Sequence, residues 1–384
     1  MLYRKLGRSD LDVGVIGLGG EWFNGKSQEV VTEILETAIE QGVNYLDIFM
    51  PQPETRSAIG KALIGKRDKM FIQGHLCTVM KDGQYERTRD ITKVKASFED
   101  LLERLQTGYI DVGMIHYVDS FDDYDKVFNG EVIEYAKELK KQSVIGSIGM
   151  SSHNPLVALK AVESGLIDVL MFSINAAYDL EKAETDIYDL MEFKDLDENG
   201  WTIDPARQAL YSACERLGVG ITVMKPLGAG TLLKAERSPF KKAMTVAQCC
   251  HYCLTRPGVA SVLIGCSNKN ELLEAVKYTA ATKEEKDYTH ILSGNEKVEI
   301  TGRCMYCNHC QPCPMDIDIA AVTKFLHLAT EQNTVPETVK QHYFSLDKNA
   351  SNCIMCGKCE PNCPFSVEIR KNMKKAQDIF NNRI

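Results

Sequence analysis

Three things are scarce in this chain. No apolar run reaches the roughly 18 residues that a membrane-spanning helix needs. Positive charge is outweighed, with 45 Lys and Arg against 53 Asp and Glu for a formal net charge of −8. That balance argues against a nucleic-acid or anionic-membrane partner held by bulk electrostatics. The first strand-like run is not followed by a G-x-G-x-x-G turn, which counts against an open dinucleotide-binding sheet. No apolar signal region follows Met1-Leu2-Tyr3-Arg4-Lys5, so a soluble, cytoplasmic protein is expected. What is present is 384 residues, 44% hydrophobic and 26% charged, enough for a sizeable core and natural for two domains.

Along residues 1 to about 280, short apolar runs alternate with amphipathic helical patterns. Strands are expected at Val13–Gly20, Val43–Asp47, Lys69–Leu76 and Tyr109–His116. Four more are expected at Val144–Met150, Ile167–Ile174, Val219–Met224 and Ser261–Ile264. A helical pattern follows each; the clearest puts Val94, Phe98, Leu101, Leu102 and Leu105 on one stripe. Eight strand–helix units in that length predict an α/β fold, a (β/α)8 TIM barrel over residues 1–285. Ala176–Ile203 interrupts the rhythm as a long acidic passage, expected to be a lid. Thr282–Thr301 is expected to be a linker.

The remainder, residues 296–384, is organised by cysteine. Eight of the chain's 14 cysteines fall into two runs. One is Cys304, Cys307, Cys310 and Cys313 before Pro314; the other is Cys353, Cys356, Cys359 and Cys363 before Pro364. The pattern resembles the bacterial two-cluster ferredoxin, one residue short in the last gap of the first run. That resemblance implies a small α-rich ferredoxin-like iron–sulfur domain with two [4Fe–4S] clusters. Three thiolates of a run hold one cluster and the fourth cysteine crosses to the other. Cys304, Cys307, Cys310 and Cys363 then form one ligand set, and Cys353, Cys356, Cys359 and Cys313 the second. A disulfide framework needs an oxidising compartment, and zinc sites do not favour this spacing. Of the other cysteines, Cys249, Cys250 and Cys253 read as small buried hydrophobes, and Cys77 is open to reading as a thiol near the mouth.

Barrel enzymes carry their chemistry at the C-terminal ends of the strands. Those positions here offer Asp47, His75 and His116 as an acid–base group, with Ser151, Ser152, Asn175 and Lys225 nearby. A metal held by Asp47, His75 and His116 is also conceivable, though their spacing does not specially argue for it. The loops after the last two strands, Lys225-Pro226-Leu227-Gly228-Ala229-Gly230 and Ser267-Asn268-Lys269, lie where many barrels bind phosphate.

With these residues in view, the first 280 resemble the aldo/keto reductase family, in its branch with a fused ferredoxin-like domain. The carriers are Gly42-Val43-Asn44-Tyr45-Leu46-Asp47, Tyr109-Ile110-Asp111 leading to His116, Ile148-Gly149-Met150-Ser151, Lys225-Pro226-Leu227-Gly228 and Gly265-Cys266-Ser267-Asn268. The resemblance implies hydride transfer between a nicotinamide and a carbonyl. It also implies cofactor contacts at Ser151, Ser152, Lys225, Leu227, Gly228, Gly230, Ser267, Asn268 and Lys269. Several family positions differ here. Gln52 stands where the tetrad tyrosine is expected and His75 where its lysine is expected. Met171, Met224 and Ala275 replace nicotinamide and adenine contacts. An altered reaction follows, with His75 or His116 as proton donor and NADP or NAD only a possible cofactor.

The expectation is an oxygen-sensitive oxidoreductase of anaerobic metabolism. It acts on a small organic substrate and exchanges electrons through two clusters with a ferredoxin or flavoprotein. Two alternatives compete: a nicotinamide-independent one-electron reductase fed by ferredoxin, and a non-redox lyase or dehydratase with structural clusters. Trp22, Phe23, Tyr117 and Trp201 suggest a partly aromatic mouth.

Overall fold

The structure, a computed structural model, describes residues 1–185, 187–193, 201–293, 300–330 and 334–381. Its centre is a closed barrel of eight parallel strands in sequential order. They are β1 (Ile16–Gly19), β2 (Tyr45–Ile48), β3 (Phe71–Leu76), β4 (Ile110–Ile115), β5 (Ile145–Ser152), β6 (Val169–Ser173), β7 (Gly220–Met224) and β8 (Val259–Gly265). Closure is direct, with Val262 of β8 opposite Ile16 of β1. The strands alternate with eight major helices: α1 (Gln28–Glu40), α2 (Pro53–Ala62), α3 (Ile91–Leu105), α4 (Glu131–Lys141), α5 (Pro155–Glu163), α6 (Pro205–Leu217), α7 (Val246–Leu254) and α8 (Lys269–Val276).

Local chemistry explains these boundaries. Asp90 caps α3 by accepting from the Thr92 and Lys93 amides. The expected stripe is buried at Val94, Phe98, Leu101 and Leu105. At α6, Asp204 caps, Pro205 opens the first turn and Gly218 ends the helix at φ 69°. Gly60 lets α2 lie against α3, since a Cβ there would sit 2.1 Å from the Arg104 carbonyl oxygen. Inside the barrel, Val112, Met114, Val169, Met171 and Leu263 pack with Leu6 and Val13 of an N-terminal hairpin, Tyr3–Lys5 with Asp12–Gly14.

One expectation needs correction, one falls partly outside the described residues, and one element was not foreseen. The stretch expected as a linker carries two short helices, Lys283–Lys286 and Thr289–Leu292, and its Tyr288, Ile291 and Leu292 are buried in the main core. In the passage expected as a lid, residues 186 and 194–200 lie outside the described residues. The described part is tied down instead by Asp179, which accepts from the Tyr211 and Tyr252 hydroxyls. The sequence reading also missed a second hairpin, Thr78–Lys81 with Gln84–Arg87, between β3 and α3.

The C-terminal segment holds α9 (Ile319–Thr330), α10 (Glu337–Phe344) and α11 (Ile369–Asn381). It packs on the barrel as part of one continuous core. Buried Arg256 donates to the Met305 carbonyl, Lys324 pairs with Glu215, and Thr338 donates to the Arg216 carbonyl. Among the described residues, no helix is long and apolar enough to cross a membrane.

Candidate active site

Asp47 lies in β2 and His75 in β3, while His116 follows β4 by one residue; the barrel brings all three together. His75 Nε2 is 2.9 Å from Asp47 Oδ1, and His75 Nδ1 is 2.7 Å from His116 Nδ1. All three are buried. Gln73, which points the same way as His75 by the two-residue strand period, donates to Asp47 Oδ1 at 2.6 Å. Gln73 in turn accepts from the Tyr45 hydroxyl at 2.8 Å and the Thr222 hydroxyl at 3.1 Å. Gln73 was missed in the sequence, although its spacing from His75 was the available signal. Burial, then His75, Arg89, His153 and Arg87, hold the His116 imidazole well below its ordinary value. His116 is therefore neutral at neutral pH.

The rim around this chain is strained and aromatic. Cys77, Tyr117 and Lys225 each follow a strand end and each adopt a left-handed backbone, φ 73°, 53° and 56°. Phe49 stacks on His116 with centroids 5.4 Å apart, and the hairpin's Tyr85 meets both rings edge-on at 5.7 Å. Of the aromatics expected at the mouth, Trp22 is exposed and Tyr117 borders His116. Phe23 and Trp201 are instead buried, Trp201 against Phe240. Cys77 is buried and its thiol pushed up by burial, as are those of Cys249 and Cys253. Gln52, in place of the expected tyrosine, has its amide oxygen buried without a partner among the described residues.

The residues expected to hold a dinucleotide are largely engaged elsewhere. Ser151 Oγ accepts from the Tyr117 amide, and Ser152 Oγ donates to Asp119. At the β8 loop, the Ser267 amide and the Asn268 side chain both donate to the Glu271 carboxylate, while Lys269 pairs with Glu33. Trp22 lies over Gly265, its indole 2.1 Å from where a Cβ would stand. The β7 loop keeps the turned backbone of Gly228 and Gly230, φ 56° and 82°, after Leu227. The Lys225 ammonium, lowered by burial and partly restored by Glu21 and Asp119, meets only Met191 Sδ at 3.9 Å among the described residues. With the Glu271 carboxylate on the Ser267 and Asn268 amide donors and Glu33 on Lys269, the β8 loop in this conformation does not fit a nicotinamide dinucleotide's phosphates.

In the C-terminal segment, Cys363 stands close enough to Cys304, Cys307 and Cys310 to act on their thiols electrostatically. Cys313 joins Cys353, Cys356 and Cys359 around a separate pocket, closed by Ile354, Arg370 and Met373. Both runs fold alike. Tyr306 and Asn308 in one, Met355 and Gly357 in the other, are left-handed at matching offsets, as are Asp316 and Ser366 after the fourth cysteines. Burial and mutual repulsion push Cys304 up to about 12 and Cys307 to about 11. Such grouped thiols ionise together only around a cationic core. The grouping of four cysteines in each set is the donor set that a four-cysteine cluster would use. Among the described residues, no group of three or more His, Cys, Asp or Glu that could hold a metal ion is found. His309, inside the first run, pairs with Asp287 at 3.0 Å.

The aldo/keto reductase family model matches residues 10–248, ending before the cysteine runs. An uncharacterized oxidoreductase of Bacillus subtilis, YqkF, is 27% identical over 314 residues, covering 78% of this chain and 98% of its own. The L-galactose dehydrogenase of Arabidopsis thaliana is 22% identical over 304 residues, covering 71% and 86%. Among solved structures, the holo form of aldo-keto reductase AKR11C1 from Bacillus halodurans superposes with a TM-score of 0.59 at 24% identity. It covers 76% of this chain and 95% of its own, and supports the barrel fold. With a family model matching well over half its length, this chain belongs to the aldo/keto reductase family of oxidoreductases.

Proposed function

We propose that this aldo/keto reductase acts on the oxygen of a small organic substrate, a carbonyl or the corresponding alcohol, at the barrel mouth. Electrons reach or leave the reaction through two [4Fe–4S] clusters. The observation that carries the first half is the buried Asp47–His75–His116 chain at the strand ends. It replaces the tyrosine and lysine of the ordinary tetrad with a relay that moves a proton. Asp47 fixes the orientation of His75 and balances charge that arrives on the imidazole pair. Burial of Asp47, His75 and His116, with Phe49 stacked on His116, strengthens each hydrogen bond of the relay.

Cys304, Cys307, Cys310 and Cys363 would hold one cluster; Cys353, Cys356, Cys359 and Cys313 the other. Clusters of this kind carry one electron at a time at potentials down to about −700 mV. Arg256, buried beside the first set, and Arg370, lining the second, place positive charge near each group of thiolates. A ferredoxin or flavoprotein is the fitting partner, and an oxygen-sensitive protein of anaerobic metabolism the fitting context.

The test is anaerobic turnover of a panel of aldehydes, ketones and alcohols. A reduced or oxidised viologen is the one-electron mediator in one series, and NADH or NADPH the donor in another, with binding of each nucleotide measured by calorimetry. Turnover that needs intact clusters supports the reading. Turnover unaffected by removing the clusters removes their redox role, and no turnover with any donor removes the reaction class.

A further inference from the structure

With one hydrogen on each imidazole, the contacts of the relay give it a single direction. Asp47 Oδ1 already accepts from Gln73, and as a carboxylate oxygen it accepts from His75 Nε2 as well. With one hydrogen on the ring, His75 carries it on Nε2, toward Asp47, and keeps a lone pair on Nδ1. At 2.7 Å from that lone pair, His116 Nδ1 is the donor. A neutral His116 then has no hydrogen on Nε2, the nitrogen facing the mouth. It accepts a proton there and cannot supply one.

The group placed on that nitrogen is a phenol. Tyr85 Oη stands 3.5 Å from His116 Nε2, loose in the way acid–base contacts often are before substrate binds. Its ring is held edge-on by Phe49 and by His116 itself, and the residue is 43% exposed, so one side faces the mouth. The hairpin that delivers it is fixed. Asp82 and Gly83, both left-handed, make its tight turn. Arg87 ties it to the rim by donating to the Tyr117 carbonyl at 2.8 Å and pairing with Asp123 at 3.2 Å. The other rim phenol, Tyr117, packs on Arg87 and His153.

We propose that Tyr85, carried on this hairpin, is the group that exchanges a proton with the substrate oxygen, and that His116 is its base. The proposal rests on the function given above. Toward the alcohol, the Tyr85 O–H bond breaks, a new O–H bond forms on the substrate oxygen, and the phenolate recovers a proton that His116 Nε2 has taken up from water. In reverse, Tyr85 passes its proton to His116 Nε2, and the phenolate takes the proton of the substrate hydroxyl. The imidazole pair is then positive and faces the Asp47 carboxylate. No electron moves in this step, whatever donor serves the carbon.

Two measurements on the full chain, handled anaerobically with clusters intact, test it. With 15N-labelled histidine, His116 Nε2 should give the downfield signal of a nitrogen without hydrogen, and that signal should move in Tyr85→Phe. A His116 Nε2 that carries its hydrogen, or that ignores the substitution, overturns the proposal with or without a known substrate. For any carbonyl the wild type turns over, Tyr85→Phe should lower kcat about 10²-fold with KM little changed. Met80→Ala, which alters the cross-strand neighbour of Tyr85, should leave kcat near wild type. Equal losses in both variants mean the hairpin acts only as scaffold and overturn the proposal. A wild type that turns over nothing counts against the function above, and the histidine signals then decide on Tyr85.

Discussion

At the barrel mouth, His75 is 28 residues from Asp47 and 41 from His116, and three different strands carry them into one hydrogen-bonded chain. In the cysteine-rich segment, each run packs three ligand candidates into seven residues. A short spacing can be recognised from the chain alone because only a few chemistries use it. A relay made by sheet closure leaves no local pattern, since each member is a single polar residue at a strand end. Yet the cysteine runs also depend on tertiary structure at one point. Cys313 and Cys363 each leave their own run and stand with the other. The two regions thus differ in how much of the site is local, and that difference can be tested.

The largest expected effect is on the crossing. Cys363→Ser and Cys304→Ser should remove the same cluster, and Cys313→Ser and Cys353→Ser the other. Low-temperature EPR of the reduced variants, with iron content falling by about half, would show two matching pairs of spectra. If Cys363→Ser instead matches Cys353→Ser, each run holds its own cluster and the contrast between the regions sharpens further.

At the relay, His75→Ala should cost about 10²- to 10³-fold in kcat, because it severs His116 from Asp47. Asp47→Asn should give a smaller loss, since it keeps a hydrogen-bond partner for His75. Steady-state rates beside unchanged cluster spectra check both. An equal loss of cluster signal would mean that the two regions are not separable.

A stability change confined to the barrel comes next. Gly60→Ala gains helix propensity of about 1 kcal/mol but meets the Arg104 carbonyl. Overpacking should win, for a net destabilisation of about 1–3 kcal/mol in urea unfolding. A more stable variant would show that α2 and α3 can slide apart.

The smallest effect is on pH. His116 is held below its ordinary value, and His251 and His327 lie at about 4, each chiefly through burial. Below about pH 6.5 the unfolded chain binds protons that the folded chain refuses. Stability is therefore full above that pH and is lost as pH falls toward the folded values. Melting between pH 7 and 5 should drop by several degrees, and His116→Asn should flatten the slope.

Alternating apolar runs were enough to predict eight strand–helix units, because strand and helix periods are local properties of the chain. Asp47, His75 and His116 were recognisable as strand-end residues once the barrel was inferred. Three features were not. The hairpin carrying Tyr85 is short and polar, and only Asp82-Gly83 marked it. The burial of Tyr288 and Ile291 depends on a partner surface far away in sequence, so a charged stretch read as a linker. The contact of the Glu271 carboxylate with the Ser267 amide joins residues four apart in a way that glycine and loop position did not announce. Sequence by itself determined which residues are available, through periodicity and cysteine spacing. Tertiary structure decided which of them meet, because that depends on contacts between segments that local pattern does not encode.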